Sequence, residues 1–387
     1  MTANPLVELT KVGQSIWFDN IERKLIKSGE LGRLIDEFCV RGVTSNPAIF
    51  EKAIGGSDDY LDQMRELVQR GKSALEIYEA LAVSDIQAAA DTLAPVFEQT
   101  GGTDGFVSFE CSPLLAHKTR ETIEEAQRLF EWVDRKNVMI KIPGTPEGIP
   151  AIEESIYRGI NINITLLFSL ASYRDTINAY IRGLERRAAE GKPVTGIASV
   201  ASFFVSRIDT EVDKRIEEKI SKSSSEEEKS RLRSLEGKIA IANAKMAYQI
   251  FKEEFHGERF RALRDQGAQV QRPLWASTST KNPAYRDVYY IESLIGPQTI
   301  NTIPPATLNA FREHGQVRLT LEENLDEEQA RVERLEEAGI SLDEVTAQVL
   351  KDAVRLFVEP FEKLLQTIET RRNELIDSRR STQTHAD

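Results

Sequence analysis

Eight short apolar, β-branched segments recur along this chain, each ending in turn chemistry and most followed by a helical pattern. They read SIWFD (15–19), GVTSN (42–46), FVSFE (106–110), VMIKI (138–142), INITLLF (162–168), GIASVASFF (196–204), PLWASTS (273–279) and TINTIP (299–304). Helical periodicity covers 22–38, 58–99, 118–134, 149–158, 169–190, 206–264, 284–295 and 323–374. Strands alternating with helices imply βαβ units and parallel pairing. Eight such units predict an α/β fold, a closed (β/α)8 TIM barrel with additional helices, and a doubly wound sheet is the other topology the alternation allows. The expected organisation is one barrel domain over 1–374 and a polar, frayed C-terminal tail over 375–387. Residues 209–239 are dense in Glu, Lys and Arg around one Ser-Ser-Ser break. They read as a charged insertion, a solvated helical pair extending a barrel helix.

Strand side chains alternate between two faces. In VMIKI, Val138, Ile140 and Ile142 share one face, and Met139 and Lys141 the other. By the same parity Ser108 and Glu110 oppose Val107 and Phe109, and Trp17 and Asp19 oppose Ile16 and Phe18. Asn161, Asn163 and Thr165 oppose Ile162 and Ile164, and Thr44 pairs with Asn46. A barrel strand packs its apolar face under the helices and turns the other face into the lumen. The polar set also lies towards the C-terminal ends of its strands, where barrel active sites are built. Two carboxylates, one lysine, amides and hydroxyls are thus expected in one pocket. Burying an unpaired ammonium costs several kcal/mol, on the order of what an ion pair must recover, so Lys141 is neutral, paired or chemically used. Ordinary salt bridging would explain one pair. Two acids around one lysine exceed what charge balance requires, which favours a catalytic site.

Composition limits the partners. The chain is 40% hydrophobic and 29% charged, which suits a globular protein with a large core. Its net charge of −12 argues against a general nucleic-acid binder. An anionic small substrate remains admissible, because one local arginine can bind a phosphate. The stretch MTANPLVELTKVGQS has no signal-peptide character, and no apolar run approaches the ~18 residues of a membrane span. Cys39 and Cys111 give no disulfide framework and suit a reducing compartment. A cytoplasmic protein without membrane association is expected, as a monomer or homodimer. The histidines are scattered, and neither a metal-ligand spacing nor a Gly-rich phosphate loop occurs, so no metal and no cofactor are expected.

A neutral lysine attacks a carbonyl to form a Schiff base. The protonated imine is an electron sink that replaces a metal, and neighbouring carboxylates can then shuttle protons for loss of water and for C–C cleavage. The pocket therefore suits a metal-free aldolase or transferase.

Several segments carry a resemblance. GVTSNPAIF (42–50), VMIKIPGTPEG (138–148), GININITLLFS (159–169), VASFFVSRID (200–209) and the run from Ser277 to Phe311 are similar, in the same order, to the signature segments of transaldolases, in the longer bacterial subgroup. The resemblance implies that Lys141 forms the Schiff base and that Asp19 handles the C4 hydroxyl proton. It implies that Glu110 acts with Thr165 through a bound water in forming and hydrolysing the imine. Asn46 and Asn163, with Thr44 and Ser277 nearby, would hold the hydroxyls of a dihydroxyacetone unit. Ser202 and Arg207 would bind the substrate phosphate, with Phe204 lining the pocket. The short form of the family carries an arginine soon after its Ala-Ser. Here Ala276-Ser277 is followed by Thr278-Ser279-Thr280-Lys281, so Lys281 is the residue expected to bring the second positive charge. The implied substrates are sugar phosphates: sedoheptulose 7-phosphate or fructose 6-phosphate as donor, and glyceraldehyde 3-phosphate or erythrose 4-phosphate as acceptor. A fructose-6-phosphate aldolase and a catalytically silent barrel scaffold are the alternatives. Taken singly, some of these residues have plainer readings. Asn46 before Pro47 could cap a helix, and Arg207 could pair with Asp209 or Glu211.

Overall fold

The computed structural model describes residues 4–384, with side chains described through residue 378. The eight segments become strands β1 (Gln14–Phe18), β2 (Val40–Thr44), β3 (Phe106–Glu110), β4 (Val138–Pro143), β5 (Ile162–Leu167), β6 (Ser199–Phe204), β7 (Arg272–Ala276) and β8 (Thr299–Ile303). They pair in parallel in sequence order, and β8 returns to β1, giving a closed barrel. Closure excludes the doubly wound alternative. Register sets the neighbours at the C-terminal end: Glu110 stands beside Lys141, and Lys141 beside Asn163.

The opposite end of the lumen is filled by a polar knot and an aromatic ring. Asp104, just before β3, accepts hydrogen bonds from Ser15 Oγ at 2.5 Å, Trp17 Nε1 at 2.9 Å and Arg272 Nη2 at 3.0 Å. These contacts tie β1 to β7 and to the approach of β3. Trp17 is fully buried. A Cβ on Gly42 of the neighbouring strand would stand 2.5 Å from its ring. Only glycine gives the indole this room.

Helices differ from the sequence reading mainly where a turn interrupts a long pattern. The 206–264 stretch resolves into helices Ser206–Lys222, Glu226–Arg233, Ile239–His256 and Glu258–Arg264. The first two form the helical pair expected at 209–239. The pair is less solvated than its charge suggests, because Val212, Ile216, Ile220 and Leu232 are buried. The 323–374 stretch becomes Leu325–Glu337 and a long helix, Leu342–Thr384. That helix corrects the expectation of an aperiodic tail, since residues 375–384 continue it. Residues 385–387 lie outside the described residues. Helix Pro47–Gly55 was not among the helical stretches read from the sequence, although its start carries a signal. Asn46 Oδ1 accepts from Ile49 N at 3.0 Å, and Pro47 follows at the first helical position. The C-terminal helix packs on Pro47–Gly55, on Ala74–Gln99 and on Ser206–Lys222. Arg371 in it donates to the carbonyls of Ile54, Gly55 and Ser57, capping the far end of the helix that Asn46 begins.

Candidate active site

A cavity of about 170 Å³ opens at the C-terminal ends of the strands. Its walls include Asp19, Thr44, Asn46, Lys141, Thr165, Ser202, Phe204, Arg207, Ser277 and Lys281, together with Ala276, Ser279, Thr302, Pro304 and Phe357. Ten of the residues singled out in the sequence therefore share one space. Glu110 and Asn163 stand outside these walls, though both are tied to residues in them.

Lys141 is buried, at 5% exposure. Its Nζ donates to the carbonyl of Ser45 at 2.9 Å and to Glu110 Oε2 at 3.3 Å. Lys141 is the only hydrogen-bond partner of the Glu110 carboxylate among the described residues. Burial raises the pKa of Glu110; the positive charge of Lys141 opposes the shift, and the negative charge of Asp19 adds to it. Asp19, just beyond β1, accepts from Thr44 Oγ1 at 2.7 Å. Its pKa is also raised, again chiefly by burial, against the pull of the Thr44 hydrogen bond and of Lys141 and Lys281. Thr44 Oγ1 lies 2.6 Å from Thr302 Oγ1. A hydroxyl has one proton to give. With Asp19 ionised, the order is therefore Thr302 to Thr44 to Asp19, a chain that points the carboxylate into the cavity.

Asn163 is fully buried, with its amide engaged on both sides. Its Nδ2 donates to Ser108 Oγ at 2.9 Å, and its Oδ1 accepts from Ser202 Oγ at 2.7 Å. Its amide thus ties Ser202 in the cavity wall to Ser108 on β3. Thr165 differs: its Oγ1 is buried and has no hydrogen-bond partner among the described residues. The next residue, Leu166, has φ +59°, where β5 slips its register against β6. A branched side chain seldom adopts that conformation, and strain of this kind gathers at functional sites. Ser277, with φ +56°, is a second such residue on the cavity wall. Its Oγ lies 3.0 Å from Ser206 Oγ, and its carbonyl accepts from Ser206 N, fastening β7 to the helix that carries Arg207.

Arg207 makes no hydrogen bond or ion pair among the described residues, so the surface pairing left open by the sequence does not form. Asp209 instead accepts from Ala240 N and Tyr290, and Glu211 pairs with Arg215. Burial lowers the pKa of Arg207. Lys281 is affected by burial and by its proximity to Arg207, and both lower its pKa. Two cations that repel each other across a cavity wall, one with no anion of its own, make a place for an anion.

The residues not singled out from the sequence have different histories. Thr302 follows the same strand parity as its neighbour Trp17 and was within reach of that reasoning. Ser45 serves through a backbone carbonyl, which no side-chain pattern announces. Phe357 enters from the C-terminal helix, whose placement over the barrel is a tertiary fact.

Residues 16–368 match the family model described as transaldolase/fructose-6-phosphate aldolase. The chain belongs to that family. A protein named transaldolase from Trichodesmium erythraeum is 48% identical over 371 residues, covering 95% of this chain and 98% of its own length. A transaldolase 2 from a Nostoc species is 47% identical over 372 residues, with the same coverage. A transaldolase 1 from Streptomyces avermitilis is 46% identical over 370 residues, covering 95% of this chain and 96% of its own. No helix among the described residues is long and apolar enough to cross a membrane.

Proposed function

We propose that the chain is a transaldolase that moves a dihydroxyacetone unit between sugar phosphates through an imine on Lys141. The observation that carries this reading is a single cavity, with the Glu110 carboxylate behind its lysine, that brings three chemistries together. An amine lies 3.3 Å from a carboxylate raised by burial, a second raised carboxylate sits on the first strand, and an unpaired arginine stands beside a lysine on the far side. Proton transfer from Lys141 to Glu110 frees the amine for attack on the donor ketone. The carbinolamine then loses its hydroxyl as water, with Glu110 returning the proton, and Thr165 supplies a hydrogen-bonding hydroxyl for that water. Asp19 takes the C4 hydroxyl proton. The C3–C4 bond breaks, its electron pair passes into the iminium as an enamine, and an aldose phosphate leaves. An incoming aldose phosphate reverses the step. Arg207 and Lys281 hold the phosphate, Asn46 contributes its amide to the donor hydroxyls, and Asn163 positions Ser202. A cytoplasmic enzyme acting as a monomer or homodimer on sugar phosphates, without nucleic acid, fits the composition.

Incubation with fructose 6-phosphate and borohydride should place a reduced three-carbon adduct on the peptide containing Lys141, and erythrose 4-phosphate should discharge the unreduced intermediate. An adduct on a different lysine overturns the assignment. Release of free dihydroxyacetone in preference to transfer would make the chain a fructose-6-phosphate aldolase, and absence of any adduct would leave a non-catalytic barrel.

A further inference from the structure

The loop that leaves β7 carries Ser277, Ser279 and Lys281 to the cavity, yet little inside the loop fixes it. Lys281 Nζ has one hydrogen bond, to Ser279 Oγ at 3.0 Å, and forms no ion pair among the described residues. The start of the loop is anchored by Thr278 Oγ1, which donates to Asn301 Oδ1 at 2.8 Å, and beyond Lys281 the chain is held from outside, by helix Ser206–Lys222 and the turn at Gly237. Tyr285 Oη donates to Asp213 Oδ2 at 2.8 Å, while Asp213 Oδ1 accepts from Gly237 N at 2.9 Å. One turn earlier on the same helix, Asp209 repeats the pattern. Its Oδ2 accepts from Tyr290 Oη at 2.9 Å and its Oδ1 from Ala240 N at 2.7 Å. Tyr289 Oη completes the set on the carbonyl of Gly237 at 2.9 Å. Each carboxylate thus staples three pieces of chain: helix Ser206–Lys222, the start of helix Ile239–His256, and the segment just after Lys281. Gly237 is required for the fit. It has φ +67°, and a Cβ there would stand 2.5 Å from the Tyr285 ring.

The stapling helix also begins with the phosphate end of the site, because Arg207 is its second residue. A small cavity lies under the loop, bounded by Asp209, Asp213, Tyr290 and Lys281 itself. The tyrosine hydrogen bonds bridge the chain after Lys281 to the helix beside this space.

We propose that helix Ser206–Lys222, the first of the charged pair, is a positioning device for phosphate recognition, in which Asp213 and Tyr285 are positioning residues that hold Lys281 at a fixed separation from Arg207. One helix then sets both cations, one directly and one through the staple. This rests on the transaldolase reading for the identity of the anion, but not for the geometry of the staple. It also accounts for the offset of the second cation. Lys281 comes four residues after Ser277, and its loop is braced from the side where the additional helices stand.

Two measurements test it in the full-length protein. Hydrogen exchange in the peptide spanning 277–288 should accelerate in Tyr285→Phe and in Asp213→Asn, with protection in β5 and β6 unchanged. Unchanged loop protection overturns the staple, whatever the activity. In kinetics, Tyr285→Phe should raise KM for fructose 6-phosphate about three- to tenfold, the scale of one lost hydrogen bond, with kcat preserved. Turnover of unphosphorylated fructose should stay as it was. Affinity for inorganic phosphate, titrated by calorimetry, should fall by the same factor. Adding Lys281→Ala to Tyr285→Phe should cost less than the sum of the two single changes. A loosened loop with unaltered phosphate affinity, or equal losses on both sugars, overturns the positioning role. A wild-type protein that neither transfers nor forms an adduct would defeat the reading of function alone. The exchange and phosphate titrations would still decide the staple.

Discussion

The two ends of the barrel lumen contain nearly the same ingredients and use them differently. At the N-terminal end, the Asp104 carboxylate faces Arg272 and receives four hydrogen bonds, from Ser15, Trp17 and two guanidinium nitrogens. At the C-terminal end, the Glu110 carboxylate faces Lys141 and receives one, at 3.3 Å. Around it are an unpartnered Thr165 hydroxyl, two non-glycine residues at positive φ and a cavity. A buried ion pair by itself says little about function, since structural networks bury them too. The separating property is unused hydrogen-bonding capacity next to open space. The planar arginine fork, saturated by its partners, suits the locked end, and a lysine that can shed its proton suits the other.

The contrast is tested most severely by removing the cation at each end. Lys141→Met should abolish transfer, a loss larger than the ~10²–10⁴-fold of a general acid–base group, and should leave no borohydride adduct. Its stability to urea should change little, because Glu110, already raised by burial, can take a proton once its cation is gone. Arg272→Met should do the reverse. Stranding Asp104 should cost about 3–5 kcal/mol in unfolding free energy, while the folded fraction keeps its activity. If both variants lose stability equally, the two ends are not different in kind.

Within the catalytic end, Asp19 and Glu110 are both raised carboxylates, and their positions relative to Lys141 separate their tasks. Asp19→Ala should form the imine and cleave it slowly, so that borohydride traps a six-carbon adduct on Lys141. Glu110→Gln should form the imine itself slowly, with little adduct of any length at early times. Each should lose on the order of 10²–10⁴-fold in transfer rate. Accumulation of the three-carbon adduct in Asp19→Ala would show that cleavage does not pass through Asp19.

The strands were more legible in the sequence than the connections, and the reason is periodicity. Strand parity converts directly into which side chains share the lumen, and it placed Lys141, Glu110 and Asp19 together before any coordinates. Parity also covers Thr302, which stands beside Trp17 on the neighbouring strand. It says nothing of a backbone carbonyl such as that of Ser45, or of Phe357, whose helix reaches the site through packing on Pro47–Gly55. Charge density in 209–239 reads as solvated surface because Asp209 and Asp213 look like their neighbours. Only the fold shows that these two turn inward to the loop tyrosines. The polar composition of 375–384 likewise concealed a helix that continues from an amphipathic one.

The phosphate end should respond more mildly than the reacting end. Arg207 is a half-buried guanidinium without a hydrogen-bond or ion-pair partner among the described residues, so its removal strands none of them. Arg207→Ala should raise KM for fructose 6-phosphate about 10–100-fold, the scale of a charge-assisted hydrogen bond at ~1.5–3 kcal/mol. Turnover of unphosphorylated fructose should be nearly untouched. Comparable losses on both sugars would assign Arg207 to the architecture of the site.

The smallest effect, and the one that joins the two ends of the lumen to stability, is a dependence on pH. Asp19 and Glu110 have pKa values raised above their ordinary 3.8 and 4.5, mainly by burial. A raised carboxyl binds its proton more tightly folded than unfolded. Its favourable contribution is therefore complete below about pH 4 and is lost as pH rises through the folded value. The catalytic end should thus subtract stability as the solution becomes less acidic. In the proposed mechanism activity runs the other way, because there Asp19 must be ionised to take the C4 hydroxyl proton. Its acid limb should fall at a higher pH than an exposed aspartate would give. Over this window the enzyme should gain transfer rate while losing a little resistance to urea. Asp19→Asn, neutral at every pH, should remove its share of the slope in the unfolding free energy. Urea titrations across the acidic range, with transfer rates measured on the same samples, give both curves. If Asp19→Asn leaves the stability slope as it was in the parent, Asp19 is not the carboxyl that carries it, and Glu110, the other carboxyl raised by burial, would have to supply the pH dependence instead.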